Sequence, residues 1–212
     1  MPHAVVPHGQ RRLGGPLSDE TVRVFNVLAT APLRQKLQRL EADGAQATHH
    51  DTNAADGETK RHEEINRLRG ELVAMSVTPS GAISTAGLAI VCKELQLALT
   101  KAEIERVIWE VDEDMDGRIS FAEFSAMLER CSRDKHGLEP CQLIPLVEFL
   151  SCDPSATPHR VSLDELCKRR LRRSATVELE KRLRTLDTHG DNSISLQMYW
   201  DTINADVPKP VT

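Results

Sequence analysis

The sequence predicts an all-α protein built from two similar helical lobes and preceded by an N-terminal helical extension. Three observations carry that expectation. Apolar residues recur at helical spacing through most of the chain from residue 61 onward. One compact acidic segment with a central glycine, 112–123, separates two amphipathic stretches. Branched apolar residues also return at matching places in four inter-helix segments: Ile83 and Ile119, 36 residues apart, and Val161 and Ile194, 33 apart.

Composition bounds the class. The 212 residues are 40% apolar and 28% charged with a net charge of −5, too charged for a membrane protein and too apolar for a wholly disordered chain. At about 100–200 residues per domain, this length holds one domain or two small ones. No run approaches the ~18 uncharged apolar residues of a spanning helix. The opening Met-Pro-His-Ala lacks a basic-then-apolar signal pattern, and Pro2 stands where myristoylation needs glycine. The closing Lys-Pro-Val-Thr is not a prenylation box. Cys92, Cys131, Cys141, Cys152 and Cys167 form no C-x-x-C pair, so zinc or thioredoxin-like chemistry is not indicated. Reduced, mostly buried thiols in a cytoplasmic protein are expected.

The elements follow in order. Residues 1–17 hold three prolines and three glycines without periodicity and read as a tail. Ser18 as a cap, followed by Val22, Val24, Phe25, Val27, Leu28, Leu33, Leu37 and Leu40, predicts a helix over 18–41. Pro32 should break or kink it. The small, polar stretch 43–60 reads as a flexible linker. His49 and His50 have only Asp51 as a near co-ligand there, and read as solvated loop residues rather than a metal site. Ile65, Leu68, Leu72 and Met75 then make one helical stripe, and Leu88, Val91, Cys92, Leu95 and Leu99 another. Thr100-Lys-Ala-Glu103 is a capping box that opens a helix carrying Ile104, Val107, Ile108 and Val111.

That helix runs into Asp112-Glu-Asp114-Met-Asp116-Gly117-Arg118-Ile119-Ser120-Phe121-Ala122-Glu123, which matches the EF-hand calcium loop at each diagnostic position. Calcium is a hard cation that takes six to eight oxygens at roughly 2.3–2.6 Å, so the loop must fold several oxygens inward. Asp112, Asp114 and Asp116 supply carboxylates from alternate positions. Gly117 permits the sharp turn, lacking the Cβ that makes positive φ costly. Arg118 offers its backbone carbonyl, Ser120 a contact through water, and Glu123 two oxygens that close the shell. Residues 102–124 resemble a calmodulin second EF-hand, and the chain resembles the calmodulin and troponin C superfamily, most strongly over 80–130.

EF-hands pair, so the resemblance implies sister loops. In 76–87, Gly81 and Ile83 survive, but Ser76, Thr78, Ser80 and Gly87 replace the ligands, leaving a structural mate without calcium. In the second lobe, Val161 takes the pairing position and Glu165 the closing one, with thirteen residues from Asp153 to Glu165 and no turn glycine. The last loop, 187–198, keeps Asp187, Asp191 and Ile194, but has His189 third and Met198 in place of the closing glutamate. An empty or weak site is expected. The domain reading is therefore a tail, helix and linker over 1–60, a first pair over 61–132, a linker over 133–142, a second pair over 143–206 and a tail over 207–212.

The expected function is a non-enzymatic, calcium-binding regulatory or light-chain-like subunit that grips a helix of a larger protein. It takes one Ca²⁺ through Asp112, Asp114, Asp116, Arg118, Ser120 and Glu123, with Mg²⁺ as a competitor. The alternative is a constitutive structural subunit, similar to myosin light chains, of a cytoskeletal or axonemal assembly. Five methionines including the initiator are few for a promiscuous, methionine-lined sensor groove. No nucleophile elbow, phosphate loop or zincin motif suggests catalysis. Charge is also divided: 101–130 holds nine acids against four bases, and 160–185 nine bases against four acids. Within the latter, Lys168-Arg-Arg-Leu-Arg-Arg173 reads as the solvated face of a helix or a seat for an acidic protein partner. Nucleic acid is disfavoured because no aromatic side chains are interleaved there to stack bases.

Overall fold

The computed structural model describes residues 18–46, 54–134, 139, 142–152, 160–169, 176–187 and 190–204. Among these, ten α-helices and two two-stranded antiparallel sheets account for the regular structure.

The N-terminal part is helical in three pieces. α1 (Asp19–Ala29) starts at Ser18, whose hydroxyl oxygen accepts the Thr21 amide at 3.2 Å. The chain turns at Thr30, which donates through its hydroxyl to the Asn26 carbonyl at 2.6 Å, and α2 (Ala31–Gln46) follows directly. The break expected at Pro32 falls two residues earlier. Proline lacks an amide hydrogen, and the first turn of a new helix has no internal partner for one, so Pro32 fits inside the start of α2.

The flexible-linker reading of 43–60 needs correction wherever that stretch is described, because α2 extends to Gln46 and α3 (Ala54–Val77) begins at Ala54. His49, His50 and Asp51 lie outside the described residues. Two causes favour helix here. Glu58, Lys60 and Arg61 are good helix formers, and α3 lies against α2, burying Ile65 and Leu68. Lys36 meets Glu64 at 2.5 Å and Arg69 meets Glu41 at 2.7 Å across that contact. Such exposed pairs are screened by water and contribute little, so the apolar stripe outweighs them.

The first pair continues with β1 (Ala82–Ser84), α4 (Thr85–Glu94), α5 (Lys101–Trp109), β2 (Arg118–Ser120) and α6 (Phe121–Arg133). β1 and β2 are antiparallel with Ile83 opposite Ile119. The second pair comprises α7 (Ile144–Cys152), β3 (Val161–Ser162), α8 (Leu163–Arg169), α9 (Thr176–Thr185), β4 (Ser193–Ile194) and α10 (Leu196–Ile203). There Val161 stands opposite Ile194. Both registers are those implied by the 36- and 33-residue spacings, and all four residues are buried.

α1 sits within the core rather than beside it. Val24, Phe25 and Leu28 have no exposed surface. The Phe25 ring meets Phe121 edge-on at 5.1 Å and Phe124 at 5.6 Å. On the other side, Arg23 donates to the Leu150 carbonyl at the end of α7 at 2.8 Å, and Arg169 of α8 pairs with Glu20. One helix thus joins both pairs into a continuous apolar interior.

Within the second pair, the Tyr199 hydroxyl donates to the buried Glu148 carboxylate at 2.5 Å. Among the described residues Cys92, Cys131, Cys152 and Cys167 form no disulfide. Burial pushes Cys92 up to about 12, and burial likewise raises Cys152 to about 12. No helix among the described residues is long and apolar enough to cross a membrane.

Candidate metal centre

The loop 112–123 hangs between two capped helices. α5 is opened by the expected capping box, Thr100 N donating to Glu103 Oε2 at 2.7 Å and Glu103 N to Thr100 Oγ1 at 3.3 Å. α6 is opened by a second box. Ser120 N and Oγ donate to Glu123 Oε2 at 2.8 and 2.7 Å, and Glu123 N donates to Ser120 Oγ at 3.3 Å. Two candidate ligand residues therefore also cap the exiting helix. The S-x-x-E spacing at 120–123 is the sequence signal for that second role.

Glu123 has a further task. Its Oε1 accepts the amides of Glu113 at 2.8 Å and Asp114 at 3.3 Å, so one buried carboxylate ties the start of the loop to the start of α6. Inside the loop, Asp112 accepts the amides of Asp116 and Gly117 at 3.2 and 2.8 Å. Asp116 Oδ1 accepts the Arg118 amide at 2.8 Å. Gly117 adopts φ +80° and Met115 φ +62°, both left-handed. Glycine takes that conformation freely; a methionine costs about 1–2 kcal/mol there.

These turns bring ligand oxygens of Asp112, Asp114 and Asp116 within 4.8 Å of one another. Among the described residues, this is where three acidic, histidine or cysteine groups converge so closely. Electrostatics register the crowding. For Asp114, the Asp116 amide favours the ionised form, but desolvation and the charges of Asp116, Glu123 and Asp112 outweigh it and raise the pKa. For Glu123, burial works against ionisation, while hydrogen bonds from Ser120, Glu113 and Asp114 prevail and hold it low. Clustered carboxylates with all-oxygen donors fit a hard divalent cation, whose charge would relieve their repulsion. Arg118 is exposed, leaving its carbonyl as its offering, and Arg130 holds Glu113 aside at 2.5 Å.

The sister loops differ for reasons visible in their surroundings. In 76–87, the Ser76 hydroxyl donates back to the Val73 carbonyl at 2.7 Å. Gly87 stands where a closing glutamate would be, and a Cβ there would come 3.1 Å from the Leu28 carbonyl of α1 and 3.3 Å from Pro32. The seat of the N-terminal helices thus crowds the position from which a closing side chain would start. Residues 153–159 lie outside the described residues. Glu165 of that loop accepts Arg169 at 2.5 Å. In the last loop His189 is outside the described residues. Asp187 accepts the Asp191 and Asn192 amides at 3.1 and 3.0 Å, repeating the skeleton of 112–117.

Of the basic run, Lys168 is exposed and Arg169 is engaged by Glu165 and Glu20. Residues 170–173 lie outside the described residues. Arg184, further on, meets Asp164 and Glu180 at 2.9 and 2.8 Å.

Helix–loop–helix units clamped in pairs through short loop-to-loop strands, with a converging carboxylate triad in one loop, define a calcium-binding EF-hand protein. Residues 79–131 match the family model of an EF-hand domain pair, and the triad falls inside that span. The calcium-binding allergen Ole e 8 of Olea europaea is 28% identical over 139 residues, spanning 65% of this chain and 81% of the relative. Both matches support an EF-hand, calmodulin-like assignment, centred on the pair at 79–131.

Proposed function

We propose that the chain is a non-enzymatic, light-chain-like regulatory subunit that takes one Ca²⁺ at 112–123 and engages a helix of a larger assembly. The observation that carries this reading is the convergence of Asp112, Asp114 and Asp116 beneath a glutamate fastened at both of its oxygens. Calcium would neutralise the triad. The chain's own groups position it: Asp112 and Asp116 shape the turn, the Arg118 carbonyl and Ser120 extend the oxygen set, and Glu123 couples loop to α6. Phe121 and Phe124 flank Glu123 and both touch Phe25 of α1. These ring contacts support a path by which a change at the metal loop would reach α1, a helix already lodged in the apolar interior.

The seat of α1 also supports the second reading, a constitutive structural subunit of a cytoskeletal or axonemal assembly. α1 covers the interior and fastens both pairs together, as a permanently assembled module would need. An acidic protein segment at Lys168–Arg173 is the further partner this reading includes.

Titration calorimetry tests the first reading. One site is expected, with a dissociation constant of about 10⁻⁷–10⁻⁵ M, weakened by millimolar Mg²⁺ and lost in Asp112→Ala. Two strong sites, or indifference to that substitution, would sink it. Purification with the native partner, followed by chelator, separates the two readings: release supports a switch and retention a structural subunit.

A further inference from the structure

In the last loop, Asp187 and residues 190–198 repeat the hydrogen bonds of a metal loop, with Met198 where the closing carboxylate would stand. Asp187 organises it as Asp112 organises the intact one, and Asn192 takes φ +54° where Gly117 takes +80°. Asp191 Oδ1 accepts the Ser193 amide at 3.0 Å, as Asp116 accepts that of Arg118. Yet a cation is already there. Arg160 reaches across from the neighbouring loop, its Nη2 donating to the Ser193 carbonyl at 2.9 Å and standing 3.7 Å from Asp191 Oδ1. Its Nε donates to Ser193 Oγ at 2.6 Å. Ser193 and Asp191 correspond to Arg118 and Asp116, two of the oxygen donors assigned to calcium in 112–123.

The first pair offers the contrast. Val161 pairs with Ile194 as Ile83 pairs with Ile119. Arg160 therefore corresponds to Ala82, the residue before Ile83. Beside the intact loop the neighbour offers a methyl group; beside the incomplete loop it offers a guanidinium. A fixed planar cation with several donors suits carbonyl and carboxylate oxygens.

We propose that Arg160 is the resident cation of the last loop: it holds the described part around Asp191 and Ser193 in metal-loop form and keeps divalent ions out. This concerns residues separate from 112–123 and stands whether or not that loop binds calcium. Two experiments on the full chain test it, both in an Asp112→Ala background so that the first loop is silent. With EDTA present, Arg160→Gln should lower the urea midpoint of unfolding, while Arg160→Lys, which keeps the charge, should recover part of the loss. With Met198→Glu restoring a closing carboxylate, adding Arg160→Gln should tighten calcium binding at least about tenfold by calorimetry. An unchanged midpoint in Arg160→Gln, or equal calcium affinity with and without Arg160 in the Met198→Glu chain, would overturn the assignment.

Discussion

Replacing Glu123 by glutamine removes one acceptor oxygen and leaves shape and volume nearly unchanged. Four donors converge on this carboxylate, two at each oxygen. If the glutamine oxygen stays with the Glu113 and Asp114 amides, the Ser120 amide loses its acceptor. If it stays with Ser120, two loop amides lose theirs and face an NH₂ group. A buried donor left unpaired costs about 1–3 kcal/mol, and the cheaper arrangement orphans one backbone amide, so a loss of about 2 kcal/mol is expected before any metal is added. With a urea dependence of about 2 kcal/mol per molar for a chain of this size, the midpoint in EDTA should fall by about 1 M. Calcium affinity should fall further, on the order of 100-fold, the ~2.8 kcal/mol scale of one charge-assisted contact. Urea unfolding followed by circular dichroism reads the first effect and titration calorimetry the second. An unchanged midpoint in EDTA would refute the structural role of Glu123, and an affinity within about threefold of the parent would refute its role as a ligand.

Other outcomes follow from the same contacts. Phe25→Ala should destabilise by about 3–5 kcal/mol, because the ring is fully buried against Phe121 and Phe124; a loss below about 1 kcal/mol in urea unfolding would mean that α1 is not seated there. Tyr199→Phe should cost about 1–3 kcal/mol by removing the donor to buried Glu148, measured by thermal or chemical unfolding. The loop also sets opposing pH trends. Asp114, with a raised pKa, adds native stability in EDTA as pH falls through it. Glu123, held low, contributes stability present above its unfolded value of about 4.3 and lost as pH falls through its folded pKa. Calcium affinity should start to fall with Asp114, at higher pH than an ordinary aspartate dictates. Removing that early fall with Asp114→Asn, followed by calorimetry across pH, checks the assignment.

Much of this protein is legible locally. The turn at Gly117 and the alternate carboxylates of Asp112, Asp114 and Asp116 follow from neighbours a few residues away, because loop hydrogen bonds at short separation shape them. The pairings Ile83–Ile119 and Val161–Ile194 are legible because each pair holds equivalent places in sister loops. The stretch 43–60 misleads because its small, polar residues satisfy linker composition equally well; α3 gains order from a stripe packed on α2, which composition does not encode.

The sequence by itself determined where an oxygen-rich loop could exist and which loops had lost ligands, because those properties belong to residue types at fixed spacing. Only the tertiary structure decided what fills the space the lost ligands left. At Gly87 it is the end of α1, 3.1 Å from where a side chain would begin; in the last loop the Arg160 guanidinium instead meets donors that survive, Asp191 and the Ser193 carbonyl. Leu28 lies 59 residues from Gly87, and Arg160 lies 31 from Asp191. Contacts at such separations arise from packing a shared core, so their chemistry becomes visible only once the helices are in place.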